Sequence, residues 1–217
     1  MSGAVSPKLR EVHHGDGVAW LRETTLADGD AIVTSLPDHS ELPELGVEGW
    51  KHWFVETAEL VCKRVDDDSP AIFYQTDVKH DGRWIDKSFL VAAGAERAAS
   101  HLLWHKIACR STPGTTSFGR PAYGHILCFS RTLRLEAGQS SPDVLPTIGE
   151  MVWPRAMGSA VCASIIDFLI KHTNTRRVVD PFCGHGSILA AANARGLTAL
   201  GVERSRKRVE KARALSV

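Results

Sequence analysis

The chain has 217 residues, 43% of them hydrophobic, which is enough to bury one sizeable core, so a single domain is expected. Lysine and arginine number 26 against 25 acidic residues, which excludes a polyelectrolyte and means that a nucleic-acid partner needs a local basic patch. The five cysteines (Cys62, Cys109, Cys128, Cys162 and Cys183) form no CxxC pair for zinc, no secretory leader precedes them, and no apolar run is long enough to span a bilayer. A cytoplasmic protein with neither metal nor membrane contact is expected.

In chain order the periodicity predicts a short strand near "LREVHHG", a helix at "DGVAWLRE", a strand at "DAIVTS", a helix over "GWKHWFVETAELVCKRV" and a strand at "PAIFYQTD". A polar turn, "KHDGRW", leads to a helical or mixed segment, "FLVAAGAERAASHLLWHKIA", then to a Gly/Thr/Ser-rich loop, "CRSTPGTTSFGRPA", and the strand "GHILCFSRT". "LEAGQSSPDVLPTIGE" reads as loop. Beyond it come a helix over "GSAVCASIIDFLIKHT", the strand "RRVVDPF", a helix over "SILAAANARG", the strand "TALGVE" and a closing basic helix, "SRKRVEKARAL". Such alternation predicts a mostly parallel sheet with helices on both faces.

The stretch "RRVVDPFCGHGSILAAANARGLTALGVERS" carries chemistry. A strand ends in Asp180, a loop with Gly184 and Gly186 opens a helix, and the next strand ends in Glu203. Glycines let a ligand approach the backbone, and an acid at the next strand end accepts hydrogen bonds from two ribose hydroxyls, so a ribose-containing cofactor is expected. A dinucleotide site fits less well, because Leu189 stands where GxGxxG needs a third Gly or Ala.

"VVDPFCGHGSILAAANARGLTALGVERSRKRVEKAR" resembles the S-adenosylmethionine-binding region of the DNA N4-cytosine/N6-adenine methylase family, and the earlier "HHGDGVAWL" and "DAIVTSLPD" resemble the opening and catalytic turn of its circularly permuted members. The resemblance implies a Rossmann-like class I methyltransferase fold, α/β, with a mostly parallel seven-stranded sheet in permuted order. The single domain 1–217 would comprise a catalytic half (1–135), a linker (136–157) and a cofactor half (158–217). It further implies that Asp180, Phe182, Gly184 and Gly186 surround the methionine part of S-adenosyl-L-methionine, that Glu203 holds its ribose, and that Asp16 meets the adenine. Asp16 suits a helix N-cap equally well. His185, where the family usually has Ser, is expected to be an exposed side chain without a catalytic role.

The family's catalytic tetrapeptide corresponds to Ser35, Leu36, Pro37 and Asp38. The first side chain and the next residue's carbonyl accept hydrogen bonds from an exocyclic amino group and aim its lone pair at the methyl. Here Leu36 replaces a proline, and Asp38 replaces the ring on which a flipped base stacks. Asp38 could bind the base or take its proton, cap the following helix, or mark an inactive relative. Tyr123, Trp153 and Trp84 are candidates for the missing ring, whereas Trp50, Trp53 and Phe54, at helical spacing, are expected in the core.

The loop containing Arg110 and Arg120 is the expected phosphate contact, and the closing basic helix is expected to be a solvated face. Without room for a base-reading domain, the expected activity is methyl transfer to a base nitrogen in tRNA or rRNA, so RNA is favoured over DNA as partner. The alternatives are a DNA amino-methyltransferase that reads its target through homodimerisation or a partner, and a non-catalytic cofactor-binding subunit.

Overall fold

The computed structural model describes residues 9–216. In chain order its elements are β1 (Arg10–His14), α1 (Gly17–Glu23), β2 (Asp30–Thr34), α2 (Gly46–Arg64), β3 (Ala71–Gln75), β4 (Val78–His80), β5 (Arg83–Ile85), α3 (Lys87–Arg97), β6 (His101–Cys109) and β7 (Tyr123–Ser130). They continue with β8 (Val144–Leu145), α4 (Ser159–His172), β9 (Arg177–Asp180), α5 (Ser187–Ala194), β10 (Thr198–Glu203) and α6 (Arg206–Ala214). The main sheet runs β1-β10-β9-β2-β3-β7-β6-β8, parallel throughout except where β7 pairs with β3 and β6.

The central strands β2 and β3 are buried at every residue, as expected of apolar runs covered on both sides. On one face α4, α5 and α6 bury Ile165, Ile166, Leu169, Leu189 and Val209 against the sheet. On the other, α1, α2 and α3 bury Leu21, Trp50, Phe54, Val61 and Val91. Among the described residues, no helix is long and apolar enough to cross a membrane.

Two expectations are corrected, for the strand count and the "KHDGRW" turn, and the mixed segment is resolved into its parts. The sheet has eight strands rather than seven, because β8, inside a segment that reads as loop, pairs with the outer edge of β6 through Ile107 and Ala108. Its two residues are too few to show any periodicity. The mixed segment divides into α3 and β6 at Ala98–Ala99, where Ala99 has φ +51° and stops the helix. "KHDGRW" is no simple turn but the ribbon β4–β5, reversed at Asp81 (φ +47°) and Gly82 (φ +75°) in the pattern of an Asp-Gly hairpin.

The two ends of the chain interleave in this sheet. β1 lies beside β10, and β2 beside β9 with Ile32 opposite Val179, so the residues that follow β2 and β9 emerge at one edge. Residues 136–157 between them hold β8 and bury Ile148, Ala156 and Met157, and the Ile148 carbonyl accepts from Ala160 N–H at 3.1 Å in the first turn of α4.

Candidate active site

In open α/β sheets, ligands sit at the carboxyl ends of the strands, where adjacent connections diverge. Here the ends of β2, β3, β9 and β10 frame one cleft of about 1260 Å³, open mouth included.

The β9–α5 turn builds one half. Asp180 is buried at the strand end, where Thr34 Oγ1 (2.7 Å) and Phe182 N–H (3.0 Å) donate to its Oδ1. Burial pushes this carboxyl up to about 7, against the pull of those two donors. The turn bends through Gly184 (φ +55°), and Trp153 covers it, so closely that a Cβ on Gly184 would lie 3.4 Å from the indole.

Glu203, 8% exposed, accepts from Gly184 N–H at 3.1 Å and from Ser205 N–H at 2.7 Å. A carboxylate has about four acceptor sites, so these bonds fix its direction and leave capacity for two more donors. Gly15 N–H bonds to the Glu203 carbonyl at 3.1 Å and brings Asp16 alongside. Asp16 both caps α1, accepting from Ala19 N–H at 2.9 Å, and lines the cleft. Next to it Gly17 is obligatory, since a Cβ there would stand 2.0 Å from the Pro181 carbonyl oxygen.

The loop after β2 builds the other half. Ser35, Leu36, Pro37 and Asp38 all line the cleft. The Pro37 carbonyl accepts from Trp50 Nε1 at 3.0 Å, which anchors the turn to α2. Asp38 stands at the N-cap of the short turn His39–Glu41, whose Glu41 carboxylate accepts from Asp38 N–H at 3.4 Å. Its own carboxylate meets Lys87 Nζ, and Arg120 Nη2 lies 3.7 Å away. Lys87 opens α3, its side chain 4% exposed. Burial pushes its ammonium down, with Asp38 opposing. Asp77 secures that helix start by accepting from Lys87 N–H at 2.9 Å, and its other oxygen lies 3.1 Å from His125 Nε2.

Across the mouth, Glu41 pairs with Arg155 (3.2 Å) and Arg208 (3.6 Å), and Arg208 also lies 5.0 Å above the Trp153 ring. Turn, 136–157 segment and α6 are thereby tied together over the Glu203 side.

Of the residues expected at a site, Asp16, Ser35, Leu36, Pro37, Asp38, Arg110, Arg120, Trp153, Asp180, Phe182, Gly184 and Glu203 converge on this cleft. Gly186 does not line it: with φ +80° it caps α5 and packs toward Ala212. Nor does Tyr123, which sits at the start of β7 with its ring edge-on to His125 at 5.3 Å. Trp84 is outside as well, on the exposed β4–β5 ribbon.

Trp53 is not a core ring like Trp50 and Phe54; it turns to the cleft, edge-on to Phe182 at 6.1 Å. His185 is not simply exposed but stacks on Trp153 (4.6 Å, 25°), and burial pushes its imidazole down. Arg208 likewise leaves the solvated face expected of its helix. Lys87, Tyr74, Gln75 and Arg155 escape the sequence reading altogether. Lys87 is 49 positions from Asp38, and no local pattern links the two.

No protein-family model and no curated protein matches the sequence. Solved structures do match. A Thermus thermophilus protein assigned as a DNA modification methylase, in complex with S-adenosyl-L-methionine, superposes with TM-score 0.68 at 19% identity over 94% of this chain and 91% of that one. PvuII DNA methyltransferase (cytosine-N4-specific) gives 0.68 at 15% identity over 95% and 86%. The M1.HpyAVI–SAM complex gives 0.63 at 14% identity over 94% and 97%. At these identities the likeness is one of architecture: this chain has the α/β fold of the class I methyltransferases.

Proposed function

We propose that this protein is an S-adenosyl-L-methionine-dependent methyltransferase acting on an exocyclic amino group of a DNA base, cytosine N4 or adenine N6. One observation carries the proposal: the Ser35–Asp38 turn and the Asp180–Glu203 cradle face each other across a single cleft, joined at the strand ends by the Thr34–Asp180 hydrogen bond. In this reading the chain order, with the catalytic turn ahead of the cofactor strand, is a permuted one.

The cleft residues suit the cofactor. Glu203 keeps capacity for two hydroxyl donors, Gly184 lines the cleft without a side chain, and Asp180 offers a carboxylate for a cationic group. When bound, S-adenosyl-L-methionine supplies a methyl on a cationic sulfur and departs as a neutral thioether. Ser35 Oγ and the Leu36 carbonyl accept the two amino hydrogens and so direct the nitrogen lone pair at the methyl. With the cofactor bound, that lone pair would take the methyl, the sulfur would keep the bonding electrons, and the amine would shed one proton to solvent. Asp38 holds the turn: its pairing with Lys87 and Arg120 ties residues 35–38 to α3 and to the 110–122 loop.

For DNA speak two of the similar structures, which are described as DNA methylases. The exterior beside the cleft also suits a nucleic acid. Phe118 (83% exposed) and Trp84 (46%) flank Lys79, whose Nζ lies 4.4 Å and 5.3 Å from their ring centres, so exposed rings and positive charge lie side by side. RNA is the competing substrate.

The test is incubation with S-adenosyl-L-methionine and DNA, tRNA or rRNA, followed by nucleoside mass spectrometry. N4-methylcytosine or N6-methyladenine in DNA is expected. Methylation confined to RNA would transfer the assignment to RNA, and calorimetric cofactor binding without any transfer would leave a non-catalytic binding subunit.

A further inference from the structure

Buried polar side chains in folded proteins nearly always have hydrogen-bond partners, because an unpaired one costs its full desolvation. β3 ends in two that have none among the described residues. Both polar atoms of the Gln75 amide (1% exposed) and the Tyr74 hydroxyl (4% exposed) are without a partner. Both residues line the cleft. β2 and β3 run parallel with Thr34 opposite Phe73, so Tyr74 and Gln75 follow Phe73 alongside the turn that follows Thr34.

Their placement is built in. Tyr74 lies against Gly124 of β7, where a Cβ would come within 2.8 Å of the ring and 3.0 Å of its hydroxyl. The backbone of Gln75 is locked by its pairing with His125 in the antiparallel β3–β7 ladder. The strand is rigid, and only the side-chain ends are unsatisfied.

We infer that Gln75 reads the hydrogen-bonding edge of the target base. This rests on the methyltransferase reading. The amino group itself is taken by Ser35 and Leu36, so the Gln75 amide N–H donates to the ring nitrogen next to it, N3 of cytosine or N1 of adenine. A base lifted from its stack is read along this edge. A site built to hydrogen-bond its substrate rejects an analogue that cannot reciprocate, because the buried protein group is then left unpaired.

The experiment follows methyl transfer to DNA oligonucleotides carrying the normal target base or its deaza analogue, 3-deazacytosine or 1-deazaadenine, which lacks that ring nitrogen. Gln75→Leu is expected to lower kcat/KM on the normal oligonucleotide about 10- to 100-fold, the discrimination of one good base contact. Cofactor affinity by calorimetry stays unchanged, which also shows that the variant is folded. The deaza base costs the wild type a comparable factor and costs Gln75→Leu nothing further, a pattern that a merely structural glutamine does not produce.

An active wild type with Gln75→Leu at full kcat/KM, or with a deaza penalty that persists in the variant, overturns the inference and leaves the proposed function standing. Should Gln75→Leu not fold, a wild type indifferent to the deaza base overturns it equally. A wild type that binds S-adenosyl-L-methionine but methylates no nucleic acid overturns both.

Discussion

The two halves of the cleft are made in opposite ways. The Asp180–Glu203 half comes from one strand–turn–helix–strand unit, and its acids are held by donors from within that unit and from Thr34: Phe182, Gly184 and Ser205 N–H groups and one hydroxyl. The Ser35–Asp38 half is assembled from remote parts of the chain: Trp50 on α2, Lys87 on α3, Arg120 in a loop and the end of β3. A cofactor is the same molecule in every enzyme that uses it, so a local unit can serve unchanged. A substrate site must vary, and composing it from side chains on several elements allows that without disturbing the fold.

If the contrast is right, the assembled half fails when a distant partner is removed. Lys87→Met leaves Asp38 without its buried partner and is expected to cost about 3–5 kcal/mol of stability, measured by urea denaturation. The double variant Lys87→Met with Asp38→Leu should recover most of it; if it does not, the pair is not what holds the turn. Ser35→Ala, with no change in fold or cofactor affinity, is expected to lower kcat about 100-fold or more, the loss typical of one preorganised polar group at a reaction centre. Unchanged turnover would remove the turn from the chemistry.

The self-contained half should fail by loss of affinity alone. Glu203→Gln keeps the shape but removes the charge and part of the acceptor capacity, and S-adenosyl-L-methionine affinity should fall about tenfold by calorimetry, near 1.4 kcal/mol.

Its pH dependence is the next effect in size. Asp180 titrates near 7 in the folded protein and at the ordinary carboxyl value when unfolded, so between those values the folded state holds the proton that the unfolded state has lost. This group's contribution is fully present below pH 4, shrinks as pH rises and is gone above about pH 7. Tm should therefore decline between about pH 4 and pH 7, and Asp180→Asn should flatten the decline. A cation at this carboxylate favours the ionised form, so cofactor affinity should rise over the same interval. The smallest effect is expected at the rim: Arg120→Ala, which removes a partly exposed 3.7 Å pair, should change stability by no more than about 1 kcal/mol and register mainly in KM for DNA.

By itself the sequence determined what depends on near neighbours. Apolar runs such as "DAIVT" and "AIFYQ" specify strands buried on both faces. Asp180, two glycines and Glu203 lie within one unit whose turn demands left-handed backbone at Gly184, so their cooperation is visible from spacing. Of that unit Gly186 and His185 depart from their expected places, because φ is a local property but the direction in which a turn faces is not.

Tertiary structure decided the rest. Periodicity does not encode the order in which strands pair, so the place of β8 at the edge, the antiparallel insertion of β7 and the adjacency of β2 to β9 appear only in the folded sheet. The pairing of Lys87 with Asp38 and the unpaired ends of Tyr74 and Gln75 depend on which side chains burial brings together and which it leaves without a partner. That is a property of the packed cleft and not of any segment of the chain.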